Sequence, residues 1–232
     1  MSELFHSPAE LKRMAAAAAL TAVPSNCRLG LGSGSTAEIF VEELAVRVRQ
    51  GLQVRCCATS ERTARLARSK GIEVAGLDAF EGLDLTVDGA DEIDPQLNLI
   101  KGGGACHLRE KVVAAFSARL IIIADDSKLV DSLGAFRIPL EVIPFALPLV
   151  LREVSGLPGC RSCLQRRSES APVLTDEGNL VLDADFGLLT DPGSLAIRLS
   201  DVPGIVEHGL FVGMAETAFI GTQDGVRILE RA

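Results

Sequence analysis

Two hydrophobic patterns alternate along the first half of the chain. Short apolar runs bounded by glycine or polar residues predict buried strands, and longer segments with apolar residues every three to four positions predict helices. The first helix starts at a capping box, Ser7-Pro-Ala-Glu10, with proline at its first position. The predicted strands are 27–31, 52–58, 72–75, 83–87 and 119–124, and the predicted helices are 8–22, 35–49, 60–70 and 104–117. Strands that alternate with helices predict an α/β fold with a parallel, doubly wound sheet and right-handed crossovers.

After Gly134 the order of the elements changes. The predicted strands are 138–143, 161–166, 179–184 and 204–208, and the predicted helices are 145–154 and 192–199. This β-α-β-β-α-β order is typical of a ferredoxin-like α+β unit. Apolar runs at 218–220 and 226–229 predict a terminal hairpin that could rejoin the first sheet. We therefore predict a larger domain formed by residues 1–133 plus 209–232 and a smaller one formed by residues 134–208.

Composition limits the kinds of partner. The 232 residues are 47% hydrophobic, enough for two real cores, and the net charge is -8 with a pI near 5.0. Such a chain has no basic field to attract nucleic acid or an anionic membrane surface. The segment 1–13 lacks the pattern of a targeting peptide, and no apolar run is long enough to span a bilayer. We expect a soluble, cytoplasmic protein.

The six cysteines are scattered, as reduced thiols of a cytoplasmic protein would be. Cys160 and Cys163 form a single C-x-x-C pair. A zinc site would need a second pair or nearby histidines, and the chain has only three histidines. We therefore expect no metal and no cofactor, and interpret the pair as small core residues.

The segment Gly30-Leu-Gly-Ser-Gly-Ser-Thr-Ala37 lies between the first predicted strand and its helix. Small residues let backbone N–H groups close around an anion at a helix N-terminus, so this segment predicts a phosphate site. Two alternatives stay open: a tight turn capped by serine, and a dinucleotide fingerprint with Glu61 on a ribose. The candidate phosphate contacts are Ser33, Gly34, Ser35 and Thr36.

A second segment, 84–94, runs from a predicted strand into a turn dense with carboxylates. Asp88 and Asp91 are expected at the carboxyl edge of the sheet, where they could bind substrate hydroxyls and transfer protons. They could instead cap the turn. A divalent ion is the least favoured alternative, because the spacing does not match a calcium loop.

A third segment, Lys101-Gly-Gly-Gly-Ala-Cys-His-Leu-Arg-Glu-Lys111, combines costly glycines with an acid and a cation. Moving a proton between adjacent sugar carbons needs a base that can return the proton, and donors that stabilise an enediolate oxygen. Glu110 would be the base, and Lys101 with the amides of Gly102, Gly103 and Gly104 would be the donors. Alternatively, Glu110 is an exposed helix residue paired with neighbouring cations.

Lys128 follows the predicted strand 119–124 and could pair with the phosphate. Alternatively, it is a lysine of an exposed loop whose side chain is in water.

Taken together and in order, these segments resemble the motifs of the type A ribose-5-phosphate isomerase family. The quoted segments are Gly32-Ser-Gly-Ser-Thr-Ala37, Val87-Asp-Gly-Ala-Asp-Glu-Ile93, Ile100-Lys-Gly-Gly-Gly-Ala105 with Arg109-Glu-Lys111, Ala124-Asp-Asp-Ser-Lys128 and Pro139-Leu-Glu-Val-Ile-Pro144. The resemblance continues through 175–179, 209–212 and 221–225. It departs from the family at Ser33, where threonine is common, and at Cys106 and His107, where small or apolar residues are frequent.

The resemblance implies a Rossmann-like large domain, a ferredoxin-like small domain, and assembly as a homodimer or homotetramer. It implies interconversion of ribose 5-phosphate and ribulose 5-phosphate in the pentose phosphate pathway, without a metal. By motif position, Glu110 would be the base, Lys101 and the glycine amides would stabilise the oxyanion, and Asp88 and Asp91 would bind hydroxyls and assist ring opening. The loop 33–36 and Lys128 would hold the phosphate, with Lys12 as a further contact.

Three other functions remain open on the sequence. One is a catalytically silent sugar-phosphate-binding regulatory module on the same fold. The second is a nucleotide-dependent oxidoreductase or related transferase with the same glycine loop, and the third is a sugar-phosphate deaminase. Retention of Glu110 argues against the silent module.

Overall fold

The computed structural model describes residues 6–231, so the outer ends of the first predicted domain, 1–5 and 232, lie outside the described residues. The chain forms two compact units. The first unit comprises Met1–Ala90, Val112–Lys128 and Met214–Ala232, and the second comprises Asp91–Lys111 and Leu129–Gly213.

The described residues form six α-helices and fifteen strands, numbered here in chain order. The helices are α1 (Pro8–Leu20), α2 (Ser35–Arg49), α3 (Glu61–Ser69), α4 (His107–Ala115), α5 (Leu147–Ser155) and α6 (Pro192–Ser200), with single 3-10 turns at Leu77–Ala79, Asp126–Lys128 and Pro144–Ala146. The strands are β1 (Cys27–Leu31), β2 (Val54–Ala58), β3 (Leu85–Asp88), β4 (Glu92–Ile93), β5 (Leu99–Ile100), β6 (Leu120–Asp125), β7 (Ile138–Val142), β8 (Ser162–Gln165), β9 (Arg167–Ser168), β10 (Ala171–Pro172), β11 (Leu180–Asp185), β12 (Ile205–His208), β13 (Leu210–Phe211), β14 (Thr217–Thr222) and β15 (Gly225–Glu230).

The first unit contains a six-stranded sheet in the order β15-β14-β6-β3-β1-β2. Neighbouring strands are parallel except at the β14–β15 hairpin, which joins the sheet through β6. The doubly wound sheet and the returning tail are therefore confirmed. The strand predicted at 72–75 is wrong, because only Val74 forms a bridge, to Cys56.

Helix α1 shows why this unit packs tightly. The predicted capping box is present: Ser7 Oγ accepts from the Glu10 amide, and the Glu10 carboxylate accepts from the Ser7 amide. The buried face of the helix carries alanines, and a Cβ on Gly221 of β14 would lie 1.9 Å from the Leu11 carbonyl oxygen. Small residues on both elements allow this close approach.

The second unit contains a four-stranded antiparallel sheet in the order β12-β7-β11-β8, joined by α5 and α6. This is the order of a ferredoxin-like fold, as the sequence predicts. Its apolar core includes Leu140, Val142, Val150, Leu182 and Leu199. Burying a side chain of this kind stabilises the fold by about 1.5–3 kcal/mol.

The units divide the chain differently from the predicted boundaries. Segments 91–111, 129–133 and 209–213 belong to the second unit instead of the first. Their backbone explains this, because β4, β5 and β13 form a three-stranded sheet and the Lys101 amide donates to the Gly209 carbonyl at 2.9 Å. Hydrophobic patterns identify strands but not their pairing partners.

Helix α4 begins at His107 instead of the predicted residue 104. Ala105 has φ 59°, and its amide donates to the Gly102 carbonyl at 3.0 Å, which closes a turn before the helix. The glycine run is therefore a loop that leads into α4, and its amides are not used by the helix ladder.

Candidate active site

The Gly32 to Thr36 loop of the first unit connects β1 to α2. Gly34 has φ 89°, a conformation that favours glycine, and it is the residue that precedes the first turn of α2. Within the described residues, no side chain caps this helix N-terminus. The first amides of α2 therefore point at an open end of the helix, which favours an anion through both hydrogen bonds and the helix dipole.

Asp88, at the end of β3, holds this loop in place. Its side chain is buried, and Oδ1 accepts from the Ser33 amide at 3.0 Å and from the Gly89 amide at 2.7 Å. A Cβ on Gly32 would lie 2.1 Å from the same oxygen, so only glycine fits beside the carboxylate. Asp88 thus has a structural contact with the loop in addition to its predicted contact with substrate.

Other side chains of the first unit also shape the loop. The Ser33 hydroxyl is hydrogen-bonded to the hydroxyl of Thr59, and Thr63 Oγ1 donates to the Gly32 carbonyl at 3.1 Å. The sequence gives no sign of these two threonines as loop partners, because they follow β2, a different strand.

Of the two predicted phosphate lysines, the structure brings one to the loop. Lys12 Nζ donates to Ser35 Oγ at 3.0 Å and lies 4.0 Å from Asp125 Oδ2. Lys128 lies half-buried in the 3-10 turn after β6. Within residues 6–231, no hydrogen bond joins Lys128 to the loop.

The glycine run of the second unit follows β5. Gly102 has φ 102°, and a Cβ there would lie 2.7 Å from His107 Nδ1, so both backbone and packing require glycine. The Gly103 amide donates to Asp91 Oδ2 at 2.8 Å. Gly103 and Gly104 are exposed, so backbone N–H groups are presented on an open surface beside a carboxylate.

Lys101 and Glu110 form a buried ion pair in the second unit. Lys101 Nζ lies 3.2 Å from Glu110 Oε2, and the two side chains are only 3% and 6% exposed. The alternative of an exposed Glu110 paired with solvent-facing cations is therefore wrong. An acid and a cation held in contact away from water can accept a proton and stabilise negative charge in the same small volume.

A second cation, Lys111, is half-buried and lies over the same aromatic ring as Lys101. Its Nζ donates to Glu207 Oε1 and to the His208 carbonyl, each at 2.6 Å, and lies 4.9 Å from the centre of the Phe211 ring. Burial lowers the pKa of Lys111. Lys101 lies over the same ring at 5.5 Å, so Phe211 is an apolar partner for both ammonium groups.

His107 is fully buried on α4. Burial, reinforced by the positive charge of Lys111, lowers its pKa to about 3, so the imidazole is neutral at pH 7. Its ring packs against Gly102. The histidine, which is unusual at this position, therefore fills the space beside the glycine run.

Sequence reasoning missed Arg166, which contacts the glycine run directly. Its Nη1 donates to the Gly102 carbonyl at 2.8 Å and to the Gly103 carbonyl at 3.1 Å. These partners lie 64 and 63 residues earlier in the chain, and two adjacent arginines at 166–167 look like an ordinary strand end. No local signal distinguishes them.

The remaining predicted features involve metal, thiols and membranes. Among the described residues, no group of three or more His, Cys, Asp or Glu side chains is placed to hold a metal ion. All six cysteines are free, and burial raises the pKa of the Cys163 thiol to about 12. No helix among residues 6–231 has the length and apolarity needed to cross a membrane.

A parallel sheet with a glycine-rich loop, and a ferredoxin-like unit with a buried lysine–glutamate pair, place the chain in a class: two-unit α/β proteins with a glycine-rich loop at an open helix N-terminus. The family model described as ribose 5-phosphate isomerase A (phosphoriboisomerase A) matches residues 55–225. The chain belongs to this family.

Individual relatives agree. The chain is 51% identical over 228 residues to ribose-5-phosphate isomerase A of Rhodopseudomonas palustris, covering 96% of this chain and 98% of that protein. The structure of ribose 5-phosphate isomerase A from Methanocaldococcus jannaschii is 38% identical with a TM-score of 0.91, covering 97% of this chain and all of that one. A structure of D-ribose-5-phosphate isomerase in complex with phospho-erythronic acid is 36% identical with a TM-score of 0.93, covering 97% of this chain and 100% of that one.

Proposed function

We propose that this protein interconverts ribose 5-phosphate and ribulose 5-phosphate through an enediolate, as an aldose–ketose isomerase of the pentose phosphate pathway. The observation that carries the proposal is the buried contact between Lys101 and Glu110. The similar D-ribose-5-phosphate isomerase is in complex with phospho-erythronic acid, a phosphorylated acid whose carboxylate resembles an enediolate in charge and planarity.

Proton transfer is the role of Glu110. Its carboxylate removes the proton from C2 of the open-chain aldose, and the C–H electron pair forms a C1=C2 double bond while negative charge moves onto O1. The proton of the O2 hydroxyl passes to O1, and the carboxylic acid returns its proton to C1, which leaves the ketose. Lys101 and the Gly104 amide stabilise the oxyanion while it exists, whereas the Gly103 amide donates to Asp91 and holds that carboxylate.

The other predicted residues bind the substrate. The Ser33 to Thr36 loop, with Lys12 and Lys128, holds the phosphate dianion, which suits an open helix N-terminus flanked by hydroxyls and ammonium groups. Asp88 and Asp91 accept hydrogen bonds from sugar hydroxyls and assist ring opening. Both carboxylates also hold loop amides, so they keep their geometry before substrate arrives.

We further propose that the reaction uses no metal or cofactor, because Lys101 supplies the positive charge that a metal would otherwise supply. We also propose a cytoplasmic location, which the pathway and the free cysteines support. We propose a homodimer or homotetramer, which the exposed apolar side chains Phe145, Leu188 and Ile197 support, and light scattering would measure it.

The direct test is turnover of ribose 5-phosphate by the purified protein, with and without EDTA. Wild type should turn over equally in both. Glu110→Gln keeps the shape and removes the base, so kcat should fall about 1,000-fold with KM nearly unchanged. Glu216→Gln, which changes an exposed glutamate paired with Arg119, is the matched control and should behave as wild type. Binding of ribose 5-phosphate without turnover by wild type would instead favour the regulatory module.

A further inference from the structure

Arg166 connects the glycine run to the four-stranded sheet of the second unit. Its Nε donates to Asp183 Oδ2 at 2.9 Å and its Nη2 donates to Asp183 Oδ1, while Nη1 donates to the carbonyls of Gly102 and Gly103. Side chains of this pair are only 15% and 19% exposed. The fork of the arginine therefore links β11 to the glycine run.

The two carbonyls belong to the peptide groups that present the N–H donors. A peptide joins the carbonyl of one residue to the N–H of the next, so Gly102 and Gly103 carbonyls are the opposite ends of the Gly103 and Gly104 N–H groups. A cation bonded to the carbonyl end polarises the peptide and strengthens its N–H as a donor. Arg166 therefore acts on the Gly104 N–H, which the proposed mechanism uses, and on the Gly103 N–H, which holds Asp91.

The direction of the N–H groups in the glycine run matters as much as their polarity. Three consecutive glycines have wide conformational freedom, and a donor that must rotate into place gives up part of its stabilising effect. Asp91 fixes the Gly103 N–H, and Arg166 fixes the carbonyls on either side of it. A Cβ on Gly104 would meet nothing within 4 Å, so packing on that side does not fix the residue, and the contact of Arg166 with the Gly103 carbonyl directs the Gly104 N–H.

We propose that Arg166, held by Asp183, is a positioning residue of the isomerase: it orients and polarises two glycine peptides, one whose Gly104 N–H stabilises the enediolate oxygen and one whose Gly103 N–H holds Asp91. This inference rests on the proposed function. Arginine is required because one side chain must bond a carboxylate through two nitrogens and two carbonyls through a third.

A cavity beside the guanidinium makes the proposal testable by chemical rescue. Its volume is about 350 Å³, and it is lined by Gly103, Ala135, Phe136, Arg137, Arg166 and Asp183. Truncating Arg166 to alanine enlarges this space, and a free guanidinium ion can then enter and bond the same carboxylate and carbonyls.

The experiment compares Arg166→Ala with Arg167→Ala, its sequence neighbour, which donates to the Ser170 carbonyl in an exposed hairpin. For Arg166→Ala we expect kcat to fall about 100-fold, with KM within about threefold because the phosphate loop is unchanged. Guanidinium chloride at tens of millimolar should raise the kcat of Arg166→Ala at least tenfold, and ammonium chloride should leave it unchanged. Arg167→Ala should match wild type under both salts.

Arg166→Lys keeps the charge but cannot reach all four acceptors, so it should fold and lose about tenfold in kcat. If Arg166→Ala does not fold, the kcat of Arg166→Lys is the test of the proposal. The proposal is overturned if folded Arg166→Ala or Arg166→Lys retains kcat within about threefold of wild type. It is also overturned if guanidinium gives no rescue of folded Arg166→Ala. Absence of turnover in wild type would overturn the proposed function, which is a separate result.

Discussion

The two glycine-rich loops of this protein are held in their conformations by different kinds of contact. The Gly32 to Thr36 loop is held by Asp88, a carboxylate on the neighbouring strand of the same sheet. The Gly102 to Gly104 run is held from two sides, by Asp91 and by Arg166, which lies between β8 and β9, far along the chain. Glycines in a sequence show where a backbone must approach something closely, but not which side chains fix that backbone.

The loops also differ in how strongly water screens their charges. Lys12, beside the first loop, is 21% exposed, whereas Lys101, beside the second, is 3% exposed. Electrostatic interactions weaken in water and strengthen when buried. Charge changes near the first loop should therefore have smaller and more salt-dependent effects than changes near the second.

The largest effect is expected from Gly32→Ala, which disturbs the packing of the first loop against Asp88 and leaves the second loop unchanged. The new Cβ would lie 2.1 Å from Asp88 Oδ1 and 2.5 Å from the Asp88 Cα, so backbone must shift. We expect kcat/KM to fall about 100-fold and the free energy of unfolding to drop by about 1–3 kcal/mol. Steady-state kinetics and urea unfolding measure both.

Gly82→Ala is the matched control in the same unit, since its Cβ would meet only the Phe116 carbonyl oxygen at an ordinary 3.8 Å. Activity of Gly32→Ala within threefold of the Gly82→Ala value would show that Asp88 does not constrain the loop.

Acid should weaken the second loop more than the first. Burial lowers the pKa of His107 to about 3 and that of His208 to about 4, against 6.5 in the unfolded chain. The unfolded state binds protons first as pH falls, so stability is full above 6.5 and declines down to about 3 for His107 and about 4 for His208. Each group contributes a slope of up to about 1.4 kcal/mol per pH unit.

Groups facing these histidines include Lys111, Arg166 and Glu207, of which the first two favour the neutral imidazole of His107. Urea unfolding at pH 7.5, 6 and 5 tests the slope, and hydrogen exchange locates it. His107→Leu should have a shallower pH dependence than wild type. Equal loss of protection in 27–36 and 101–111 at pH 5 would contradict a difference between the loops.

Lys12→Met tests the contribution of charge at the Gly32 to Thr36 loop, where water screens the interaction. Because Lys12 donates to Ser35 and adds positive charge near the proposed phosphate, KM should rise about tenfold with kcat within twofold. The difference from wild type should shrink at high salt. Arg13→Met, on the same helix with its side chain 56% exposed, is the control. A fall in kcat without a rise in KM would place Lys12 outside phosphate binding.

The smallest effect is expected from Glu141→Gln in the second unit. Glu141 is fully buried, and Oε1 accepts from Thr175 Oγ1 and Asn179 Nδ2, each at 2.9 Å. Burial raises its pKa above 4.5, so its contribution to stability is lost as pH rises through the raised pKa. A neutral amide keeps both bonds, and we expect a change below about 1 kcal/mol at pH 5, more favourable at pH 8.

Urea unfolding of Glu141→Gln at pH 5 and 8 makes this comparison, with Glu153→Gln, an exposed neighbour of Arg152, as control. A loss of several kcal/mol at pH 8 would mean that the ionised carboxylate is required.

Most elements of both units were predictable from local pattern. The capping box at Ser7, the apolar run at 120–124 and the β-α-β-β-α-β order each depend on neighbours within a few residues, and each is present. The start of α4 was not predictable, because it depends on a turn in which Ala105 adopts a left-handed conformation. The segment predicted as a strand at 72–75 pairs with β2 only through the single bridge between Val74 and Cys56, which is too short a ladder to form a strand.

The sequence by itself determined which residue types carry the chemistry: a small-residue loop after β1, a carboxylate at Asp88, and a lysine, three glycines and a glutamate around α4. These are local facts of composition and spacing. Only the tertiary structure decided that Lys101 and Glu110 are buried in contact, that segment 91–111 belongs to the second unit, and that Arg166 reaches the glycine run. Burial and pairing depend on residues far apart along the chain, and the energies of such contacts exist only once the fold brings them together.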